Sequence, residues 1–353
     1  MAQNEISFGR RKVITAMAGT VAASAMPWRA AGGTAKLLQG VIPIAQTPYT
    51  STGDVDWDDL ASEMNRYSRC GVQGAIWPAG GSDYDMLSKD ERMKGMEIVA
   101  TACRPLQMAC ILAVQAGSTS EMLDYAHHAE NLNPDALYIS VPYSPPGSKP
   151  PPSEETYKYF AALGAITKRP VIVFVNVNLV PNIDVLFQLI KEFPNFAYVR
   201  TDGKPVYEHT KALVAAKPLF KSVFGASACS RWLFEERLGV DGVMANIGMY
   251  ADVMERIWQA YRVGQRKEAA EIYSKLLLMM NLEEPLQAYQ EQIIPGAGRY
   301  ILHKRGWFKT TTMRKRQGIG RPYALKTVVL LPEERDEVDL RFSMLKPYLA
   351  KSA

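Results

Sequence analysis

Between residues 40 and 246 the chain repeats one unit: a short apolar or β-branched run, a loop rich in Gly, Pro, Asn or Asp, then a stretch with the spacing of an amphipathic helix. The runs are GVIPIAQ (40 to 46), VQGAIWP (72 to 78), LQMACILAV (106 to 114), DALYISV (135 to 141), PVIVFVN (170 to 176), FAYVR (196 to 200), FKSVFG (220 to 225) and DGVMAN (241 to 246). Near-continuous apolar strands must be covered on both faces, and strands alternating with helices pair in parallel. Eight such units in about 225 residues match the size of a closed (β/α)8 barrel, and the sequence predicts this TIM-barrel fold. A doubly wound open sheet is the alternative. It leads one to look for a Gly-rich nucleotide loop after the first strand, where the chain has AQTPYTSTGD, and Gly296-Ala297-Gly298 follows helix rather than strand.

The intervening helical stretches carry local signals. In WDDLASEMNRYSRCG, Leu60, Met64 and Tyr67 share a face and Gly71 offers a stop. After residue 250 the pattern becomes helical, so residues 38–250 are expected to form the barrel and residues 251–353 a C-terminal helical extension packed on it. Within that extension, residues 299 to 321 hold eight Lys/Arg and no Asp or Glu. This run reads either as an anion-binding or membrane-surface patch or as a solvated surface balanced by acids such as Glu333, Glu334 and Asp336. PPGSKPPP (145 to 152) is too stiff and too poor in backbone donors for strand or helix, and directly follows the fourth strand, where it could form a rim or lid.

Residues 1–37 read as a signal peptide and short linker. Arg10 and Arg11 precede a mildly apolar Ala/Gly-rich run and the small-x-small pattern Ala23-Ser24-Ala25, resembling the address of the twin-arginine export route. The expected location is therefore periplasmic or extracellular, with the twin-arginine machinery as a partner. The leader's apolar run is shorter than the roughly 20 residues a bilayer requires, and no stable membrane anchor is expected. The formal charge is +5, and part of it belongs to Arg10, Arg11 and Lys12, which gives little support to a nucleic-acid partner. Cys70, Cys103, Cys110 and Cys229 lack metal spacing, as do the four histidines, so no metal and no cofactor is expected. A Cys103–Cys110 bridge and ordinary buried thiols both remain open.

In such a barrel the reacting groups stand at the carboxyl ends of the strands. Those ends offer Thr47, Pro48 and Tyr49; Gly80, Gly81, Ser82 and Asp83; Tyr143 and Ser144; Asn176; Arg200, Thr201 and Asp202; Gly225; and Asn246. Most of these are polar and short.

These positions also carry a resemblance. Leu-Gln-Gly-Val-Ile-Pro with Thr47-Pro48-Tyr49, then GDVDWDDL, GVQGAIWPAGGSDYDMLSKDER, DALYISVPYSPP, PVIVFVNVN and LGVDGVMAN are similar, in order and spacing, to the dihydrodipicolinate synthase / N-acetylneuraminate lyase superfamily over about residues 38 to 325. The resemblance implies a barrel, usually a homotetramer, that acts on 2-oxo acids through a lysine Schiff base. At the position of that lysine this chain has Arg200, whose guanidinium stays protonated and has no nucleophilic amine. The general-acid tyrosine of the superfamily corresponds to Ser144, with Tyr143 one place early, and its paired threonines correspond to Gly80 and Gly81, whose N–H groups could form an anion nest.

The expected ligand is a small anionic molecule, a carboxylate or sugar acid, gripped by Arg200 with Gly80, Gly81, Ser144, Asn176 and Thr47 around it. Tyr143 and Asp202 are the candidate acid or base groups. Asp202, Asp83 and Asp85 are alternatively partners in an internal ion pair with Arg200. An exported lyase-like enzyme and a non-catalytic extracytoplasmic binding protein both fit. Replacing Arg10 and Arg11 by Lys should leave uncleaved precursor inside the cell, read by immunoblot of cell fractions; normal processing would refute the twin-arginine assignment.

Overall fold

The strands form because their sequences suit burial on both faces: in the computed structural model every residue of β1 (Gly40–Pro43), β2 (Gly74–Trp77), β3 (Ala109–Ala113), β4 (Ala136–Ile139), β6 (Tyr198–Thr201), β7 (Ser222–Gly225) and β8 (Gly242–Ala245) is buried. In β5 (Val171–Val175) Phe174 is the one partly open position. The structure describes residues 37–141, 151–176, 180–203, 205–225, 231–246, 248–283, 294, 296–315 and 324–350. The eight strands pair in parallel in the order β1-β8-β7-β6-β5-β4-β3-β2. A parallel bridge between Ile44 and Ile76, with Ala45 N–H donating to Ile76 O at 2.9 Å, joins the first strand to the second and closes the (β/α)8 barrel. Closure brings the starts of β1 and β8 close together: a Cβ on Gly242, whose φ is +145°, would lie 2.1 Å from Gly40 O.

Seven helices follow the first seven strands: α1 (Trp57–Cys70), α2 (Lys89–Cys103), α3 (Thr119–Leu132), α4 (Ser153–Ile166), α5 (Ile183–Glu192), α6 (Val206–Ala215) and α7 (Trp232–Leu238). Their starts use the expected chemistry. The Asp56 side chain accepts from Asp59 N–H to cap α1, and Ser88 and Glu91 form a capping box on α2. Gly71 ends α1 in the left-handed region.

α8 (Ala251–Arg262) packs on β1 and against α1 as the eighth barrel helix, so the barrel runs past the boundary at residue 250 drawn from sequence. The extension proper comprises α9 (Arg266–Glu283), α10 (Ala297–Lys304), the antiparallel pair β9 (Thr312–Lys315) and β10 (Ala324–Thr327), and α11 (Pro332–Ser343). It contains a strand pair besides helices. Among the described residues no helix is long and apolar enough to cross a membrane. Cys70, Cys103 and Cys110 are free thiols, and Cys229 lies outside the described residues.

Among the described residues the basic run is partly buried, with Arg299 and Arg314 inside the protein and Lys309 more than half exposed. Arg314 is 2% exposed and forks onto Glu91 at 2.6 and 2.9 Å while donating to the carbonyls of Gly53 and Met86. Arg299 donates to Thr47 O at 2.7 Å and pairs with Asp83 at 3.2 Å. Lys309 pairs with Asp56, and Lys304 with Asp339. A buried guanidinium requires a carboxylate or carbonyl for most of its N–H groups, and these acids, not Glu333, Glu334 and Asp336, supply them.

Among the described residues Glu63, Glu236 and Glu255 are buried acids with no cation at ion-pair distance, and Glu63 is the most deeply buried of them. Glu63 of α1 is fully buried; Tyr67 Oη donates to its Oε1 at 2.5 Å and Gln46 N–H at 3.4 Å, while Oε2 has no partner among the described residues. Burial pushes its carboxyl up to about 8, against the opposing pull of the Tyr67 and Gln46 hydrogen bonds and of Arg299. A folded-state pKa above the unfolded value of about 4.3 contributes stability that is full below pH 4.3 and is lost as pH rises towards 8. Glu63→Gln should therefore be near neutral at pH 4.5 and stabilise by on the order of 3 kcal/mol at pH 8. Tm measured across that range tests this, and a gap that does not widen with pH would refute it.

Candidate functional site

The C-terminal ends of the strands bring Thr47, Gly80, Gly81, Asn176, Arg200, Asp202 and Asn246 to one end of the barrel. Tyr143 and Ser144 lie outside the described residues, as do residues 145–150 of the Pro-rich loop and Lys204, a lysine four residues past Arg200 that would have to fold back to stand in for the missing amine.

Arg200, on β6, is 7% exposed and its guanidinium extends through the barrel interior. Its Nε donates to Met244 O of β8 at 2.7 Å, and its Nη1 donates to Tyr138 Oη of β4 at 2.6 Å. Phe174 of β5 lies under it, with the guanidinium carbon 4.1 Å from the ring centroid, and stacks with Tyr138 at 6.4 Å. Alternate strands of a (β/α)8 barrel contribute inward side chains to the same layer, which is how β4, β6 and β8 come to meet. Asp202 Oδ2 stands 3.8 Å from Nη2, long for an ion pair and reached from the loop after the strand. Burial pushes the Tyr138 hydroxyl up, and the adjacent Arg200 charge only partly offsets this, so the phenol keeps its proton.

Asp83 faces a different cation. It lies beside Arg299 and takes a hydrogen bond from Tyr49 Oη at 3.4 Å. Burial raises its carboxyl above the usual aspartate range, with Arg299 pulling it back.

Gly80, Gly81 and Ser82 form one 3-10 turn after β2. In this turn the left-handed residue is Asp83, φ 56°, and not a glycine, so the two glycine N–H groups do not sit in the alternating geometry of an anion nest. Their two missing side chains have different consequences. A Cβ on Gly81 would lie 2.1 Å from Asn246 Oδ1, so the loop after β8 closes directly on the turn; a Cβ on Gly80 would meet nothing within 4 Å. Thr47 is fully buried, its hydroxyl donating to Ser82 O at 2.5 Å and accepting from Trp77 Nε1 at 3.1 Å. It holds the turn in place. The Asn176 N–H donates to Val180 O and its Oδ1 accepts from Val180 N–H, closing the loop before α5.

The sequence reading passed over Tyr138, whose position on an even strand two strands from Arg200 was the available signal, and Arg92 of α2. Arg92 is buried over the ring of Tyr125 at 3.7 Å and donates to Gln115 O at 2.9 Å, at the end of β3.

The same chain trace is found in known proteins. It superposes on the 4-hydroxy-tetrahydrodipicolinate synthase of Methylacidiphilum fumariolicum SolV with a TM-score of 0.71 at 17% identity, covering 89% of this chain and 97% of that one. The N-acetylneuraminate lyase of Fusobacterium nucleatum gives 0.69 at 16% identity, covering 89% of this chain and 100% of that one. In sequence, the chain is 22% identical over 245 residues to the 4-hydroxy-tetrahydrodipicolinate synthase of Rhizobium meliloti (strain 1021), covering 68% of this chain and 81% of the relative. The model of the dihydrodipicolinate synthetase family matches residues 37–316, and the chain belongs to that family.

Proposed function

We propose that the protein is an exported, lyase-like member of its family that takes a small carboxylate or sugar-acid ligand at the C-terminal mouth of the barrel, as a homo-oligomer, without a Schiff base at residue 200. The observation that carries this reading is the Arg200 guanidinium held inside the barrel by Met244 O and Tyr138 Oη. A group of this kind can orient and neutralise an anion but cannot add to a ketone. Further support comes from the lysines. An imine-forming lysine has to be desolvated so that it loses its proton. Among the described residues the fully buried cations are arginines, namely Arg92, Arg200, Arg299 and Arg314. Lys89, Lys158, Lys275, Lys304 and Lys309 are each shifted upward, by hydrogen bonds to a carboxylate or, for Lys275, to the Tyr348 hydroxyl.

In this reading Arg200 binds the ligand's charge, Tyr138 positions the guanidinium, and the bare backbone at Gly80 leaves room beside it. Asp202, with Tyr143, supplies or removes a proton. The bracing of Arg200 also favours a second reading, a binding protein without turnover, because a guanidinium so fully engaged by the protein suits a fixed scaffold as well as a reacting one.

Borohydride treatment with pyruvate should leave the intact mass unchanged, whereas a stable adduct would refute the absence of imine chemistry. In a thermal-shift screen of small carboxylates and sugar acids, a hit should bind about tenfold to a hundredfold more weakly to Arg200→Lys, as for a lost charge-assisted hydrogen bond of about 1.5–3 kcal/mol. Unchanged affinity would make Arg200 structural, and a hit that is bound but never converted would favour the binding protein.

A further inference from the structure

We infer that the flank of the barrel carries a second anion site, between the last turn of α1, the turn after α10, and the C-terminal end of the chain beyond α11, built for a small polyanion with two or more oxyanion groups. A cavity of about 380 Å³ opens there, and five cations line it: Arg66, Arg69, Lys304, Arg305 and Lys346. No acid lines it. Helices of a (β/α)8 barrel run antiparallel to the strands, and Cys70, the last residue of α1, stands four residues before β2 begins. The cavity lies on the outer flank of the barrel, and none of its lining residues belongs to a barrel strand or to the group of strand-end residues around Arg200.

The cations differ in how they are held. Arg305 forks onto Asp252, at 2.6 and 3.2 Å, and donates to Met249 O. Lys304 pairs with Asp339 at 2.6 Å. Arg66 has no carboxylate at ion-pair distance among the described residues; it is fixed by the carbonyls of Gly306, at 2.7 Å, and Trp307. Arg69 and Lys346 are exposed and form no ion pair among the described residues. Among the described residues, Arg66, Arg69 and Lys346 thus have no carboxylate at ion-pair distance. Arg66 and Arg305 also face the same indole, 6.0 and 4.5 Å from the Trp307 ring centroid.

Holding like charges this close is unfavourable unless an anion joins them. Burial loosens the proton of the Arg66 guanidinium; Asp59 and Glu63 pull the other way, and Arg69 and Arg305 add a smaller push. Arg66 and Arg69 are three residues apart on one helix face, which lets two guanidinium forks meet one ligand. The volume is that of a small-molecule site, and Trp307 and Phe342 give it a firm apolar wall. The basic run noted in the sequence enters this site through Lys304 and Arg305.

Isothermal titration with inorganic pyrophosphate and with citrate, each at ionic strength matched by NaCl, tests the site. At least one probe should bind wild-type protein saturably, at least tenfold more weakly to Arg69→Ala/Lys346→Ala, and equally well to Arg200→Lys. The exposed pair can be removed without disturbing the core, and Arg69→Gln/Lys346→Gln serves as a second variant if the alanine pair unfolds. Preference for pyrophosphate or for citrate identifies the ligand as phosphorylated or polycarboxylate. The site is refuted if neither probe binds, if the double variant binds as wild type does, or if binding is lost in Arg200→Lys, which would place the anion at the mouth.

Discussion

A charge that cannot be discharged sits inside a closed barrel, and much of the mouth is arranged around it. Arg200 keeps its proton at any pH at which the protein folds, so its burial has to be met by acceptors brought to it. The strands bring them: Met244 through its carbonyl on β8, Tyr138 through its hydroxyl on β4, and Phe174 through its ring face on β5. Removing the Tyr138 hydroxyl would take the acceptor from Nη1 in a low-dielectric interior, which costs more than the contact itself contributes. The layer across β4, β5, β6 and β8 is thereby held as a unit, and Asp202 enters it from the loop at longer range.

The same requirement ties the extension to the barrel. Arg299 and Arg314 are nearly as deeply buried as the strand residues, and their acceptors lie in the loops after β1 and β2: Thr47, Gly53, Asp83 and Met86, with Glu91 opening α2. Those two loops form one wall of the mouth. The extension therefore acts as a clamp on the site through Arg299 and Arg314. Thr47 illustrates the effect: its carbonyl is taken by Arg299 and its hydroxyl by Ser82 and Trp77, which leaves the residue fully committed to holding the turn that carries Gly80 and Gly81.

The strands were legible in the sequence because parallel strands buried on both faces read as unbroken apolar runs, and the end of α1 because Gly71 suits a left-handed stop. The barrel's last helix was not separable from the extension, since α8 is followed by another helix with no strand between to mark the change. Arg200 could be placed at a strand end, and alternation on the even strands could have flagged Tyr138 as its neighbour. The partners of the basic run could not be read: Arg314 meets Glu91 across 223 residues, and nothing in either local sequence encodes that encounter. Gly81 could be read as space. The structure instead fills that space with Asn246.

The use of arginine wherever a cation is buried among the described residues bears on chemistry as well as on packing. Lysine responds to burial by giving up its proton, and this is what makes it a carbonyl nucleophile; arginine responds by recruiting acceptors. Arg92, Arg200, Arg299 and Arg314 each do the latter, through backbone carbonyls, a phenol or carboxylates. Such an interior holds fixed positive charge against a barrel whose strands offer backbone and aromatic surface, so an anionic ligand meets a field that is already oriented and does not relax when the ligand's own charge changes. In the proposed reading that field suits recognition of a carboxylate and of negative charge that develops next to one. At position 200 itself, a guanidinium offers no amine for covalent capture of a ketone.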